Sequence, residues 1–197
     1  MQSQCKKEGC VETQTKSTCP TGRAFPVLGR PFYVAVTGHC QLGDMATTRF
    51  VVRAFDMLLT QLQHDYPAGL VALSGLAEGA DTLFAEAALA RGIPLEACVA
   101  CTEVIENFMP GAARDHHLLL RERSQRVHML PFKERSNTAY MALGRWLVDT
   151  ADLLIAAWNG LPAVGLGGTG DVVAYARQQG RPVIHIHTIL QTITSPW

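Results

Sequence analysis

Short apolar runs alternate along this chain with longer stretches in which apolar residues recur every three or four positions. The short runs are nearly continuous and rich in β-branched residues, which predicts strands that are buried on both faces. They cover residues 32–37, 70–73, 95–100, 126–130, 153–157 and 183–186. The recurring stretches predict amphipathic helices at residues 46–64, about 82–91, 112–124, 138–150 and 171–179.

This alternation predicts an α/β fold, a Rossmann-like doubly wound and mostly parallel sheet of about six strands in a single domain. The domain is expected to cover residues 31–190. Residues 1–30 are polar and lack a sustained period, which predicts a poorly ordered N-terminal tail. Residues 191–197 carry no periodic signal either and are interpreted as a C-terminal tail.

Three loops that contain glycine follow the first, second and fifth predicted strands. They read TGHCQLGD (37–44), SGLAEGAD (74–81) and WNGLPAVGLGGTGDVVA (158–174). Right-handed crossovers bring the loops that follow parallel strands to one edge of the sheet. Ligands of such sheets bind at that edge, where the strand order reverses. The three loops therefore predict one ligand crevice.

The third loop has the form of a phosphate cradle, in which a strand leads through glycines into a helix start. Gly165, Gly167, Gly168 and Gly170 let the backbone approach an anion, and Thr169 adds a hydroxyl. The alternative is a flexible turn in which the glycines serve only backbone geometry. Asp171 stabilises the helix start, but its charge repels a phosphate if it points inward; it is a candidate for binding ribose hydroxyls or for catalysis.

Composition narrows the functional classes. The 197 residues carry zero formal net charge, which argues against a nonspecific nucleic-acid binder. No apolar run approaches the length of a membrane span and no signal peptide is evident, so we expect a cytoplasmic protein with no membrane partner. Cys98 and Cys101 form a lone CxxC without a second ligand pair. We therefore expect neither a metal site nor a cofactor.

Three motifs resemble the SLOG superfamily, which joins the DNA-processing protein DprA and the Lonely Guy phosphoribohydrolases. They are VAVTGH (34–39), SGLAEGADTLFAEAAL (74–89) and GLGGTGDVVAYA (165–176). The resemblance covers about residues 31–187 and implies a Rossmann-like fold that binds nucleotides or their derivatives. It also implies a homo-oligomer such as a dimer. Members hydrolyse nucleoside monophosphates, sense nucleotide signals without turnover or bind single-stranded DNA.

The chain departs from the family's motifs at three positions. The Lonely Guy motif has a glutamate where this chain has Val172, and a proline where it has Val164. Bacterial relatives often read TGHR where Cys40 stands here. If those residues carry catalysis in relatives, this chain uses substitutes or does not catalyse.

Cleavage of an N-glycosidic bond requires a carboxylate near the anomeric carbon and often an acid for the departing base. Glu78 and Asp81 in the second loop are the candidates, with Asp171 as a third. The alternative for Asp81 is the N-cap of the following helix.

The remaining candidates would bind the phosphate or the nucleotide, and they lie in or next to the same loops. Arg114 is a possible phosphate clamp, although a solvated helix start is the plainer interpretation, and Trp158 either stacks on a base or packs in the core. The candidates are Gly38, His39, Ser74, Gly75, Gly79, Arg114, Trp158 and Asn159.

The leading functional hypothesis is hydrolysis of the N-glycosidic bond of a nucleoside 5′-monophosphate. The first alternative is a nucleotide-binding sensor without turnover, and the second is a DprA-like binder of single-stranded DNA. We do not expect nucleic acid as the partner because net charge is zero.

Overall fold

A computed structural model of the chain describes residues 29–104 and 111–196. The predicted N-terminal tail, apart from residues 29 and 30, lies outside the described residues. The described strands are β1 (Phe32–Gly38), β2 (Leu70–Ser74), β3 (Leu95–Val99), β4 (Arg126–Met129), β5 (Leu153–Trp158), β6 (Val183–His187) and β7 (Thr192–Thr194). The helices are α1 (Met45–Asp65), α2 (Ala80–Ala90), α3 (Ala112–Arg123), α4 (Asn137–Thr150) and α5 (Thr169–Gln178), with a short 3₁₀ turn at Thr102–Val104.

The strands form one sheet in the order β4-β3-β2-β1-β5-β6-β7. All neighbouring pairs are parallel except β6 and β7. The chain winds outward from β1 to β4 and then returns to place β5 on the other side of β1. The strand order therefore reverses between β1 and β5, where Gly38 pairs with Ala157. The predicted Rossmann-like α/β fold is confirmed.

Two apolar cores lie on the two faces of the sheet. Successive residues of β1 alternate between the two cores: Val34 and Val36 belong to one core and Ala35 to the other. Helices α1, α2 and α3 cover the first face and contribute Phe55 and Phe84, whose rings meet edge to face at 5.4 Å. Helices α4 and α5 cover the second face. None of the helices in the described ranges is long and apolar enough to cross a membrane.

The last strand is a feature that the sequence pattern did not predict. Thr192–Thr194 pairs antiparallel with β6, inside the stretch that was interpreted as a C-terminal tail. The chain reverses through a turn in which Gln191 has φ +48°. Three residues are too few to display a period of two, so the strand is formed by its backbone pairing with β6 rather than by a burial pattern.

Helices α4 and α5 approach closely at a glycine. A Cβ on Gly144 would lie 2.4 Å from Cγ2 of Val172. We expect Gly144→Ala to lower the free energy of unfolding by about 1–3 kcal/mol, because overpacking outweighs the better helix propensity of alanine.

Val172→Ala in the same chain removes the atoms that the new methyl group would meet. Urea unfolding should therefore show that the double variant loses about 1 kcal/mol or more less stability than the two single losses added together. Strictly additive losses would contradict this close approach.

Candidate ligand-binding site

A crevice of about 920 Å³ opens at the carboxyl ends of β1 and β5. The loops after β1, β2 and β5 line it, together with the first turns of α4 and α5. This is the position where the strand order reverses, which is where parallel α/β sheets bind ligands. The three glycine-containing loops are thus brought to one crevice.

The loop after β1 is fixed to its neighbours by backbone contacts. A Cβ on Gly38 would lie 2.4 Å from Cβ of Ala80 and 2.6 Å from the carbonyl oxygen of Ala157. His39 donates its backbone N–H to the same Ala157 oxygen at 3.0 Å. Its Nε2 accepts the N–H of Asn159 at 3.3 Å, so the proton of the neutral ring is on Nδ1. Gly38 and His39 line the crevice and hold the first and third loops together.

The loop after β2 is organised around a buried serine. The Ser74 hydroxyl donates to the carbonyl oxygen of Asp81 at 3.0 Å and accepts the N–H of Leu76 at 3.1 Å. Leu76 is buried and has φ +54°, a conformation that costs energy for a residue with a Cβ. Its carbonyl oxygen accepts a hydrogen bond from Nδ1 of His117 at 3.1 Å. Ser74 therefore maintains a strained turn, and Gly75 next to it lines the crevice.

Asp81 is the second residue of α2 and not its N-cap. Gly79 takes the cap position with φ +92°, and no described side chain caps this helix. The Asp81 carboxylate accepts hydrogen bonds from the N–H groups of Gly75 and Ala77, but burial outweighs these bonds and raises its pKa to about 7. The N-cap interpretation is wrong because the chain enters α2 two residues earlier, which turns the carboxylate back into the loop.

Glu78 is exposed and lines the mouth of the crevice, while Asp81 lies deeper on the same wall. Burial, followed by the charges of Asp81 and Glu78, raises the pKa of the nearby Cys40 thiol. The structure therefore places two carboxyl groups of different burial on one side of the crevice.

The loop after β5 ends at the start of α5. This helix begins at Thr169, two residues before the predicted start, with Gly168 as N-cap and no side-chain cap from the described residues. The N–H groups of Thr169 and Gly170 lie in the first turn and have no acceptor within the helix. The carboxylate of Asp171 accepts the N–H of Gly167 at 3.0 Å. Asp171 therefore links the first turn of α5 to the glycine loop that precedes it.

The glycines of this loop have different surroundings. Gly167 has φ +88°, and a Cβ there would lie 2.8 Å from the carbonyl oxygen of Asn137 and from the N atom of Met141. A Cβ on Gly170 would lie 2.8 Å from the N atom of Ala163. At Gly165 the nearest atom would be Nδ2 of the Asn137 side chain at 3.8 Å, an ordinary van der Waals distance. Gly167 and Gly170 thus allow close packing of the protein itself, whereas Gly165 is exposed and not tightly packed.

Two predicted residues have less access to a ligand than the sequence suggested. Trp158 lines the crevice but is 4% exposed, and its ring packs against His185 with centroids 3.9 Å apart. Its Nε1 donates to the carbonyl oxygen of Leu161 at 3.1 Å. Arg114 lies on α3, whose described crevice-lining residues are Ala113 and His117.

Sequence reasoning missed two side chains that line the crevice, Arg135 and Tyr140. Arg135 precedes α4, and its Nε donates to the Tyr140 hydroxyl at 2.7 Å. The sequence analysis did not consider Arg135, although its loop follows a parallel strand and must end at the same edge of the sheet. In the described ranges, no group of three or more His, Cys, Asp or Glu side chains is arranged to hold a metal ion.

Comparison with known proteins gives matches by structure. No protein-family model matches the chain, and no curated protein matches it. With DprA from Streptococcus pneumoniae the match covers 79% of this chain and 50% of the DprA chain, at 20% identity and a TM-score of 0.56. With DprA from Helicobacter pylori, described for its single-stranded DNA binding mode, it covers 79% of this chain and 65% of the DprA chain, at 19% identity and a TM-score of 0.52. With a molybdenum cofactor binding protein from Rippkaea orientalis it covers 80% of this chain and 77% of that protein, at 16% identity and a TM-score of 0.52.

These likenesses establish the fold, and they agree with the SLOG-type fold that the sequence motifs implied. The chain spans half of the Streptococcus protein and about two thirds of the Helicobacter protein. A protein with this fold is described as binding single-stranded DNA, so the fold gives no support to the expectation that nucleic acid is not a partner.

Proposed function

We propose that this protein binds a nucleoside 5′-monophosphate in the crevice and hydrolyses its N-glycosidic bond. The observation that carries the proposal is the start of α5, which lies beside a crevice of about 920 Å³ and receives no side-chain cap from any residue that the structure describes. Ligand pockets of proteins typically measure about 300–1,000 Å³, so the crevice has room for a whole nucleotide.

The phosphate would lie against the first turn of α5. The N–H groups of Thr169 and Gly170 are unused within the helix, and the helix dipole adds a favourable term of about 0.3–1 kcal/mol at an exposed site. Gly165 is exposed, lines the crevice and lacks a side chain, so phosphate oxygens can reach the loop backbone there. Asp171 is left out of the chemistry because, unlike Glu78 and Asp81, it is not among the residues that line the crevice, and its carboxylate accepts the N–H of Gly167.

Glu78 and Asp81 supply the chemistry. In this proposal Glu78, the exposed carboxylate, takes a proton from a water molecule that attacks C1′ of the ribose. The C1′–N bond breaks, its electron pair leaves with the base, and the carboxyl group of Asp81 delivers a proton to that base. The products are the free base and ribose 5-phosphate. A pKa of about 7 suits this role because Asp81 is then partly protonated near neutral pH.

Single-stranded DNA is the second candidate ligand. The Helicobacter DprA, which shares the fold, is described as binding it. Binding of either candidate ligand without turnover would make the protein a sensor or carrier.

The test is incubation of the protein with a panel of ribo- and deoxyribonucleoside 5′-monophosphates, the matching nucleosides and an oligodeoxynucleotide. Free base is measured by chromatography and binding by calorimetry. We expect base release from at least one monophosphate and none from its nucleoside. Glu78→Gln and Asp81→Asn should each lower that rate about 10²–10⁴-fold.

The matched control is Glu122→Gln, which changes an exposed glutamate on α3. It should keep the wild-type rate. Wild-type rates in both Glu78→Gln and Asp81→Asn would contradict the catalytic assignment. Tight, salt-sensitive binding of the oligonucleotide without base release would favour the DNA-binding candidate.

A further inference from the structure

Arg135 stands at the crevice with its orientation restrained. Its Nε donates to the Tyr140 hydroxyl at 2.7 Å, and its guanidinium carbon lies 5.8 Å from the centroid of the Tyr140 ring. Tyr140 is one turn into α4, so the contact ties the loop before the helix to the helix itself. A guanidinium has five N–H donors, and the bond from Nε leaves the outer edge with both terminal nitrogens for another acceptor.

The charge of Arg135 distinguishes it from its surroundings. Among the described residues that line the crevice, it is the one lysine or arginine, and Glu78 and Asp81 are the carboxylates. The positive charge of Arg135 lowers the pKa of the Cys40 thiol at the mouth of the crevice, although burial and the two carboxylates raise that pKa more strongly. The side chain is exposed, so a ligand can reach it.

The first turn of α4 also packs on the glycine loop. A Cβ on Gly167 would lie 2.8 Å from the carbonyl oxygen of Asn137. Arg135 comes two residues before Asn137, and both line the same crevice as Thr169 and Gly170. The first turn of α4, which Arg135 precedes, therefore contacts the glycine loop just before the start of α5.

We infer that Arg135 binds the anionic group of the ligand from the α4 side, with Tyr140 as its positioning residue. This inference rests on the proposed function and adds a specificity to it. The planar guanidinium can donate two parallel hydrogen bonds to two oxygens of one phosphate, and its positive charge attracts a dianion more strongly than a monoanion. The site therefore selects a terminal phosphate monoester over a neutral nucleoside and over the singly charged phosphodiester of a DNA strand.

The experiment uses ribose 5-phosphate and ribose as probes, because they present the anionic group without requiring the base to be known. Calorimetry with the full chain should show that Arg135→Gln weakens ribose 5-phosphate binding about ten- to hundredfold. Arg135→Lys should recover part of the affinity because it restores the charge without the fork. Tyr140→Phe should cause a smaller loss, since it removes the hydroxyl that orients Nε.

The matched control is Arg145→Gln. Arg145 is also exposed and lies over a tyrosine ring, that of Tyr175 at 5.4 Å. Its neighbours Gly144 and Leu147 line the crevice, but Arg145 itself does not. It should leave the affinity unchanged, and the free energy of unfolding should match wild type in Arg135→Gln.

The outcomes separate the two proposals. If the wild-type protein binds a nucleoside monophosphate and Arg135→Gln binds it and ribose 5-phosphate equally well, the role of Arg135 is overturned and the proposed function survives. Equal losses in Arg135→Gln and Arg145→Gln would also overturn it, because net charge would then explain the effect. A wild-type protein that binds neither monophosphates nor ribose 5-phosphate would overturn both.

Discussion

Replacing Gly79 with alanine should lower the free energy of unfolding by about 2–6 kcal/mol. Gly79 has φ +92° and ψ −123°, a conformation that an L-residue adopts only at a cost of about 1–3 kcal/mol. The added Cβ would also lie 2.4 Å from the carbonyl oxygen of Cys40 and 2.5 Å from that of His39. These are backbone atoms, so α2 and the loop after β1 must move apart, which adds an overpacking cost of about 1–3 kcal/mol.

The same change at Gly92 provides the control. Gly92 also has a positive φ, +68°, but a Cβ there would meet nothing within 4 Å. Gly92→Ala therefore measures the cost of a positive φ without a close approach. The larger loss expected for Gly79→Ala in urea unfolding reports the close approach together with the less favourable ψ of Gly79. Equal losses would contradict the contact between α2 and the first loop. Because Ala80 donates its N–H to the carbonyl oxygen of His39 at 3.1 Å, a displaced α2 should also reduce ligand affinity at the crevice.

The sequence was sufficient to predict the sheet and the position of the crevice. A strand buried on both faces is a continuous apolar run, and the predicted bounds of β1 to β6 differ from those observed by one residue at most. The convergence of the glycine-containing loops followed from the handedness of parallel crossovers alone. Both inferences depend on local pattern and chirality, which a single sequence carries.

The roles of individual site residues depend on contacts between distant parts of the chain, and these contacts cannot be predicted from a single sequence. An aspartate before an apolar helix reads as an N-cap, but Asp81 follows the true start of α2 and its carboxylate returns to the N–H groups of Gly75 and Ala77. Likewise, Gly165 and Gly167 look equivalent in the sequence. Gly165 is exposed and makes only ordinary van der Waals contact, whereas Gly167 packs tightly against the backbone of α4, because α4 starts beside the loop.

Arg135 illustrates the same limit for charges. Its neighbours in sequence are polar loop residues, and what brings it to the crevice is the strand order. The chain crosses from β4 at one edge of the sheet back to β5 beside β1, and α4 makes that crossing. The first turn of α4 then lies over the crevice, a placement that periodicity does not specify.

The ionisation of Asp81 should lower the free energy of unfolding as the pH rises from about 4 to about 7. Burial raises the pKa of this carboxyl group from its usual value of 3.8 to about 7 in the folded protein. Between these two values the folded state holds a proton that the unfolded state has released, so raising the pH favours unfolding. Each pKa unit corresponds to about 1.4 kcal/mol. The rise therefore corresponds to about 4 kcal/mol of stability, which is present below about pH 4 and lost above about pH 7.

Asp81→Asn removes this titration while keeping the shape of the side chain. The difference in unfolding free energy between wild type and Asp81→Asn, measured in urea across about pH 4 to 8, should shrink or change sign as the pH rises. Asp115→Asn, which alters an exposed aspartate in the first turn of α3, should keep the wild-type slope. A difference that stays constant across the range would mean that Asp81 ionises as an ordinary surface carboxylate does.

This proton links stability to the proposed chemistry. An acid that must donate to the departing base works only while protonated, so kcat/KM of the wild-type protein should fall above about pH 7, where Asp81 loses its proton. The stability curve reports the same ionisation without any ligand. If the curve shows the titration and no monophosphate is hydrolysed, the buried carboxyl group remains a property of the fold and the catalytic role of Asp81 is rejected. Agreement between the two midpoints would assign the fall of kcat/KM at high pH to the ionisation of Asp81.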